Sequence, residues 1–148
     1  MIKYNWFLEQ SPETVWKYLT TSELMAQWLM NNDFELLPGH EFMFRSNPQP
    51  SMDFDGNVYC RVLEIDPLKK LVYSWKIRQG TERQLMDSVV SWFLIPKKGG
   101  TELILEHTGL DGWNELMFQA MNKGWDQNVR TKMGNLFNIK PHNETTVN

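Results

Sequence analysis

At 148 residues the chain has the size of one domain, expected over 1–140, with 141–148 left as a polar tail. Its 41% hydrophobic and 22% charged residues exclude disorder, collagen-like repetition and a coiled coil. A net charge of −3, with 15 Lys and Arg scattered along the chain, gives no footprint for nucleic acid, whose binding needs clustered positive charge.

The longest apolar run, Trp92-Phe93-Leu94-Ile95, is far short of the roughly 20 residues of a membrane helix. The stretch from Met1 to Gln10 lacks the basic start and apolar centre of a signal peptide, so the expected location is the cytoplasm, with no membrane partner. Cys60 stands alone, which precludes an intrachain disulfide or a Cys-based metal cluster.

The elements follow in chain order. Residues 2–9 open with a short apolar and aromatic run that reads as a strand. Ser11-Pro12-Glu13 then supplies an N-cap, a Pro at the first helical position and an acid at the positive helix end. Val15, Trp16, Tyr18 and Leu19 form the apolar face of that helix, and Thr21-Ser22-Glu23 opens a second short one through Leu24, Met25 and Trp28. From Asp33 to His107 turn chemistry separates six strands, placed at 34–37, 41–45, 57–65, 71–77, 85–95 and 101–107. Short connections make an antiparallel meander the expected arrangement. Met117, Met121, Trp125, Val129, Met133 and Phe137 then recur at steps of four, predicting one long helix over 114–137 with Gly124 and Gly134 inside it. Each of those glycines costs about 1 kcal/mol relative to Ala in an exposed helix; simple tolerance is one explanation, and close approach to the sheet or a bend is the structural one. Pro141 ends any continuation, and His142 belongs to the tail.

This pattern is an α+β domain: a strand, two short helices, six more strands and a long helix. A seven-stranded antiparallel sheet that covers so long a helix must twist and curl around it. Alternation puts Phe42 with Phe44, then Leu71, Tyr73 and Trp75, then Val90, Trp92 and Leu94, then Leu103, Leu105 and His107 on inward faces. Val89, Phe93 and Ile95 compete as an outward apolar strip, and Cys60 and Arg61 stay unassigned.

The ordered motifs carry a resemblance. Ser11-Pro12-Glu13-Thr14-Val15-Trp16 with Leu24-Met25-Ala26-Gln27-Trp28-Leu29, then Gly39 with Phe42-Met43-Phe44-Arg45, belong to it. So do Val62-Leu63-Glu64-Ile65-Asp66-Pro67, Leu105-Glu106-His107-Thr108-Gly109 and Gly124-Trp125. Over 12–137 they resemble the heat-shock-protein-90 ATPase activator homologue family of the START-like, birch-pollen-allergen helix-grip superfamily. Thr21-Ser22 stands in place of the usual Asp-Pro helix start, and His40 where a second Gly is common. The resemblance implies a helix-grip fold. It also implies a range of roles, since members of that superfamily bind lipids, hormones or polyketides or catalyse cyclisation, and fold by itself does not choose among them. Eukaryotic activators carry a separate N-terminal chaperone-binding domain outside the similarity, so ATPase activation is not the expected role.

No phosphate loop, zinc motif, nucleophile elbow or Cys cluster occurs, so no cofactor, metal or catalytic residue is assigned. The seven Trp and nine Met suggest instead a cavity between sheet and terminal helix for a hydrophobic or aromatic small molecule. Its candidate lining is Trp28, Phe42, Phe44, Tyr73, Trp75, Trp92, His107, Trp113, Met117, Met121 and Trp125, with Met133 as a further adaptable side chain. A fully filled core is the rival. Two other functions stay open. One is a cyclase- or hydrolase-like enzyme using His107 and Glu64 for proton transfer. The other is an interaction domain, monomeric or homodimeric, using Val89, Phe93 and Ile95.

Overall fold

The computed structural model describes residues 1–137, so the expected tail with Pro141 and His142 lies outside the described residues. The chain runs through β1 (Ile2–Leu8), α1 (Pro12–Thr20), α2 (Ser22–Trp28), β2 (Asn31–Asn32), β3 (Glu41–Arg45), β4 (Asn57–Asp66) and β5 (Lys70–Ser74). It continues through β6 (Ile77–Gln79), β7 (Gln84–Met86), β8 (Val89–Lys97), β9 (Gly100–Thr108), α3 (Glu115–Asp126), a π-helical stretch Gln127–Met133 and α4 (Gly134–Phe137). Seven strands form one curved antiparallel sheet in the order β1-β9-β8-β5-β4-β3-β2, and β6 and β7 make a separate ribbon.

Local chemistry sets the helix starts. The Ser11 hydroxyl accepts from the Thr14 N–H at 3.3 Å with Pro12 in the first turn, and the Asn114 carboxamide accepts from the Met117 N–H at 2.8 Å at the head of α3. Thr21 occupies the N-cap of α2 without a side-chain cap bond; the Ser22 hydroxyl beside it donates to the Asn32 carbonyl at 2.8 Å.

Three expectations are corrected. Residues 34–37 are not a strand; the pairing falls on Asn31–Asn32, opposite Arg45 and Phe44. The reason is that side chains take over the backbone groups there: Asn32 Oδ1 accepts from the Phe34 N–H at 3.0 Å and Asp33 Oδ1 from the Met43 N–H at 2.7 Å. Segments 71–77 and 85–95 are each interrupted, at 75–76 and 87–88, where serine hydroxyls enter the ladder: Ser74 Oγ accepts from the Arg61 N–H at 2.9 Å and Ser88 Oγ donates to the Trp75 carbonyl at 2.6 Å. The outer half becomes the β6–β7 ribbon.

The third correction concerns the long helix, whose middle is π-helical. An ideal α-helix advances ~40° beyond a full circle every four residues, so a strict four-residue stripe drifts off its face. The wider π turns rotate less per residue and return the stripe to the sheet, leaving Val129 and Met133 at 0% exposure alongside Met117, Met121 and Trp125.

The inward sets are those expected from alternation. Phe42, Phe44, Leu71, Tyr73, Val90, Trp92, Leu94, Leu103, Leu105 and His107 are all buried, and so are Cys60 and Val62. Alternation with buried Val58, Cys60 and Val62 leaves Leu63 outward, and a bulge in β4 between Val62 and Glu64 puts Glu64 on the outer side as well, opposite Val72.

Candidate functional site

Between the sheet and the terminal helix lie two different environments. One is a solid aromatic core. Trp92 meets Trp28 edge-on at 5.8 Å and Trp125 at 5.5 Å between ring centres, while Phe42 meets Phe44 and Tyr73 at 5.4 Å. These are the offset and perpendicular contacts that aromatic quadrupoles favour. Trp28 Nε1 donates to the Tyr18 carbonyl at 2.9 Å and Trp92 Nε1 to the Tyr73 hydroxyl at 3.0 Å, so their polar ends are satisfied. Burial pushes the Tyr73 phenol and the Cys60 thiol up, and both groups stay neutral.

His107 is the polar centre of this core, at 0% exposure. Trp125 Nε1 donates to its Nδ1 at 3.1 Å, and an indole can only donate, so Nδ1 carries no proton. The proton of the neutral ring is therefore on Nε2, which donates to Ser88 Oγ at 2.8 Å; that hydroxyl passes its own hydrogen to the Trp75 carbonyl at 2.6 Å. Burial, aided by the N-terminal ammonium, lowers the His107 pKa to about 3. A ring fixed in this way joins strands to helix and stays neutral, with no change of protonation state near pH 7.

The second environment is a cavity of about 150 Å³ beside this core, between α3, the end of α2 and the loop that leads into β4. Trp75, Met117, Met121 and Trp125 wall it, joined by Leu29, Met30, Phe54 and Val58, with Gln49 and Asn128 as polar members. Larger depressions of about 550 Å³ and 700 Å³ lie elsewhere, lined by residues such as Glu41, Arg61 and Lys76 or Lys123 and Asp126. Both have charged side chains in their walls, whereas the 150 Å³ cavity has none.

Gly124 belongs to this wall, and a Cβ built on it would meet nothing within 4 Å. Close approach to the sheet therefore does not account for it; the missing side chain leaves the cavity open. The loop over 46–56 forms the opposite side through Gln49, Met52 and Phe54. Its neck closes where the Ser46 N–H donates to the Gly56 carbonyl at 2.7 Å, and Gly56 adopts φ +93°, where any Cβ would strike the Ser46 carbonyl.

Side chains fasten that loop from two directions. Asn114 Nδ2 donates to the Met52 carbonyl at 3.0 Å, and the Asp53 carboxylate accepts from the Gly80 N–H and the Arg83 guanidinium, each at 2.6 Å. The Gly80 amide and then Arg83 hold the Asp53 carboxyl below the usual carboxylate range. Arg83→Ala is expected to speed limited proteolysis within 46–56 by about two- to fivefold while the core strands keep their protection, since exposed ion pairs contribute modestly and locally. Unchanged cleavage would show that Arg83 does not hold the loop.

A family model described as activator of Hsp90 ATPase homolog 1-like protein matches residues 9–138. The chain belongs to that family. Among solved structures, protein MLL2253 from Mesorhizobium loti is 29% identical with a TM-score of 0.80, over 91% of this chain and 94% of that one. Bacillus halodurans protein BH1534 is 25% identical with a TM-score of 0.68, over 86% of this chain and 89% of that one. The Aha1 dimer from Colwellia psychrerythraea, 19% identical with a TM-score of 0.71 over 90% and 96% of the two chains, shares the fold. No curated protein matches.

Within this activator-homologue domain the candidate residues divide. Trp75, Met117, Met121 and Trp125 line the cavity, whereas Trp28, Phe42, Phe44, Tyr73, Trp92, His107 and Trp113 are buried in the packed core. Met133 is buried away from the cavity wall. Gln49, Met52, Phe54 and Asn128 were not legible as site residues; the one signal in the sequence was Gly124, an otherwise costly helix glycine.

The pair proposed for proton transfer does not converge. Glu64 lies opposite Val72 on the outer sheet face and pairs with Lys70 at 3.2 Å, while His107 faces inward. The strip of Val89, Phe93 and Ile95 lies on the outer face, with the Lys70 ammonium 5.5 Å from the Phe93 ring centre. Among the described residues no helix is long and apolar enough to cross a membrane, and no group of three or more His, Cys, Asp or Glu could hold a metal ion.

Proposed function

We propose that this activator-homologue protein binds a small hydrophobic or aromatic molecule in the cavity between the sheet and the terminal helix. The observation that carries this reading is Gly124: a helix residue facing an apolar cavity of about 150 Å³ with open space where a side chain would be. Ala would stabilise the helix by about 1 kcal/mol and fit, so the glycine costs stability and keeps volume available. A volume of about 150 Å³ has room for about one benzene-sized ring. Burying roughly 150–250 Å² of ring surface gives about 4–6 kcal/mol before association costs, so a single ring is expected to bind no tighter than about 0.1 mM.

Binding is measured by ligand-observed NMR with benzene, toluene and indole, against a Gly124→Leu variant. Saturable binding to the natural chain is expected, with loss of about tenfold or more in affinity in Gly124→Leu and an unchanged or higher melting temperature. If no ring binds the natural chain up to its solubility, or if Gly124→Leu binds equally well, the cavity is not a ligand site.

A further inference from the structure

β1 ends the strand order of the sheet, with β9 on one side and, among the described residues, no strand on the other. A Cβ on Gly100 would strike the Leu8 carbonyl, and the Thr101 hydroxyl donates to the Gln10 carbonyl at 2.8 Å, so even-numbered residues turn their backbone groups toward β9. By the alternation of an antiparallel pair, Lys3, Asn5 and Phe7 turn theirs to the open edge, where none has a backbone partner among the described residues. Such an edge is a template for another strand unless charge, proline or a covering element blocks it. The far edge of the sheet is blunted: β2 has two residues, and the Asp33 carboxylate accepts from the Met43 N–H of β3 at 2.7 Å. β1 carries Lys3 as its one charge and leaves Phe7 54% exposed.

A groove of about 460 Å³ follows residues 5–10 of this edge, and the terminal helix forms its other wall through Arg130, Gly134 and Phe137. Gly134 has an ordinary helical φ of −58°, and a Cβ there would meet only the Val129 carbonyl, 3.9 Å away. Neither backbone nor packing therefore requires glycine, which costs about 1 kcal/mol in a helix. Its missing side chain leaves the groove wide beside the open edge.

We propose that β1 pairs antiparallel with β1 of a second copy of this chain across a two-fold axis, Asn5 opposite Phe7, so that the sheet continues through the dimer. Charge selects this partner and this register. Lys3 faces Glu9 of the other copy at both ends of the contact, and the two exposed Phe7 rings lie diagonally across the axis, within reach of each other. A shift of one residue sets outward backbone groups against inward ones. The register with Asn5 opposite itself puts Lys3 against Phe7 and leaves Glu9 without a counter-charge; the one with Phe7 opposite itself puts Glu9 against Asn5 and leaves Lys3 without one. A contact of one strand per copy is small for a protein interface, so a reversible dimer with a Kd of about 10–100 µM is expected.

Sedimentation equilibrium of the natural chain, Glu9→Lys, Lys3→Glu and an equal mixture of the two variants tests this. Each variant alone is expected to dimerise about tenfold more weakly, because like charges then face each other at both ends. The mixture is expected to recover the natural Kd, since each variant supplies the charge the other lacks; in Glu9→Lys the home pair of Lys3 with Glu106, at 3.4 Å, stays in place. Hydrogen exchange of the natural chain needs no variant: the Asn5 and Phe7 amides are expected to slow by about threefold or more as the concentration is raised through the Kd. A chain that stays monomeric up to about 1 mM overturns the proposal, as does protection of these amides already in the monomer. A dimer that leaves the two amides unprotected, or whose Kd ignores both charge reversals, overturns it too.

Discussion

Below pH 6.5 the protein is expected to lose about 1.4 kcal/mol of stability per pH unit through His107 alone, until the folded ring itself titrates near pH 3. The unfolded chain protonates this histidine at its ordinary value. The folded chain does not, because a proton on Nδ1 would face the Trp125 N–H inside a dry core. Over this interval the unfolded state binds the extra proton, so stability is fully present above pH 6.5 and falls as the solution is acidified. The full window amounts to roughly 4–5 kcal/mol, a large part of an ordinary domain's margin of about 5–15 kcal/mol. Carboxylates titrate in the same range, and the variant His107→Gln separates them. An amide can accept from Trp125 and donate to Ser88 but cannot be protonated. It is expected to be less stable than the natural chain by about 1–3 kcal/mol at pH 7 and more stable below about pH 5. Urea denaturation between pH 4 and 7 measures both slopes; parallel lines for the two proteins would refute the assignment of this pH dependence to His107.

Trp125→Ala is the most damaging single change expected, at about 3–5 kcal/mol. Its indole meets Trp92 at 5.5 Å and Trp75 at 5.1 Å, supplies the hydrogen bond to His107, and separates core from cavity. Truncation removes the packing, merges the cavity with new space and leaves His107 Nδ1 without its donor. Trp125→Phe isolates the last effect. It retains most of the ring contact, and it takes away the dipole that opposes protonation, so the histidine pKa is expected to rise and the pH dependence to shorten from its acid end. A fall in stability below 1 kcal/mol for Trp125→Ala, measured by chemical denaturation, would mean that the neighbouring rings close over the gap.

The curled sheet around a helix could be read from periodicity because both elements bury one face, and each face leaves a regular spacing. Strand alternation placed Phe42, Phe44, Tyr73, Trp92, Leu105 and His107 inward, and all six are buried. Even the π-helical stretch left a trace, since a stripe repeating strictly every four residues cannot stay on one side of an α-helix. Where the reading failed, backbone groups had partners distant in sequence. The Arg61 N–H bonds to the Ser74 hydroxyl and the Trp75 carbonyl to the Ser88 hydroxyl where two strands are interrupted; Asp33 occupies the Met43 amide, and 34–37 does not pair.

The site was legible only in outline. Composition announced a surplus of indoles and thioethers, and it could not distinguish a ring that fills space from one that borders it. That difference is set by a few ångströms between α3, the end of α2 and the loop over 46–56, elements that meet only after the chain has folded. The amino-acid order by itself determined which side chains leave water, because burial of a face follows from its local period. Only the tertiary structure decided that Trp75 keeps a free N–H while Trp125 does not, because hydrogen-bond partners are distributed by three-dimensional proximity, and the one nitrogen of His107 able to accept was already taken.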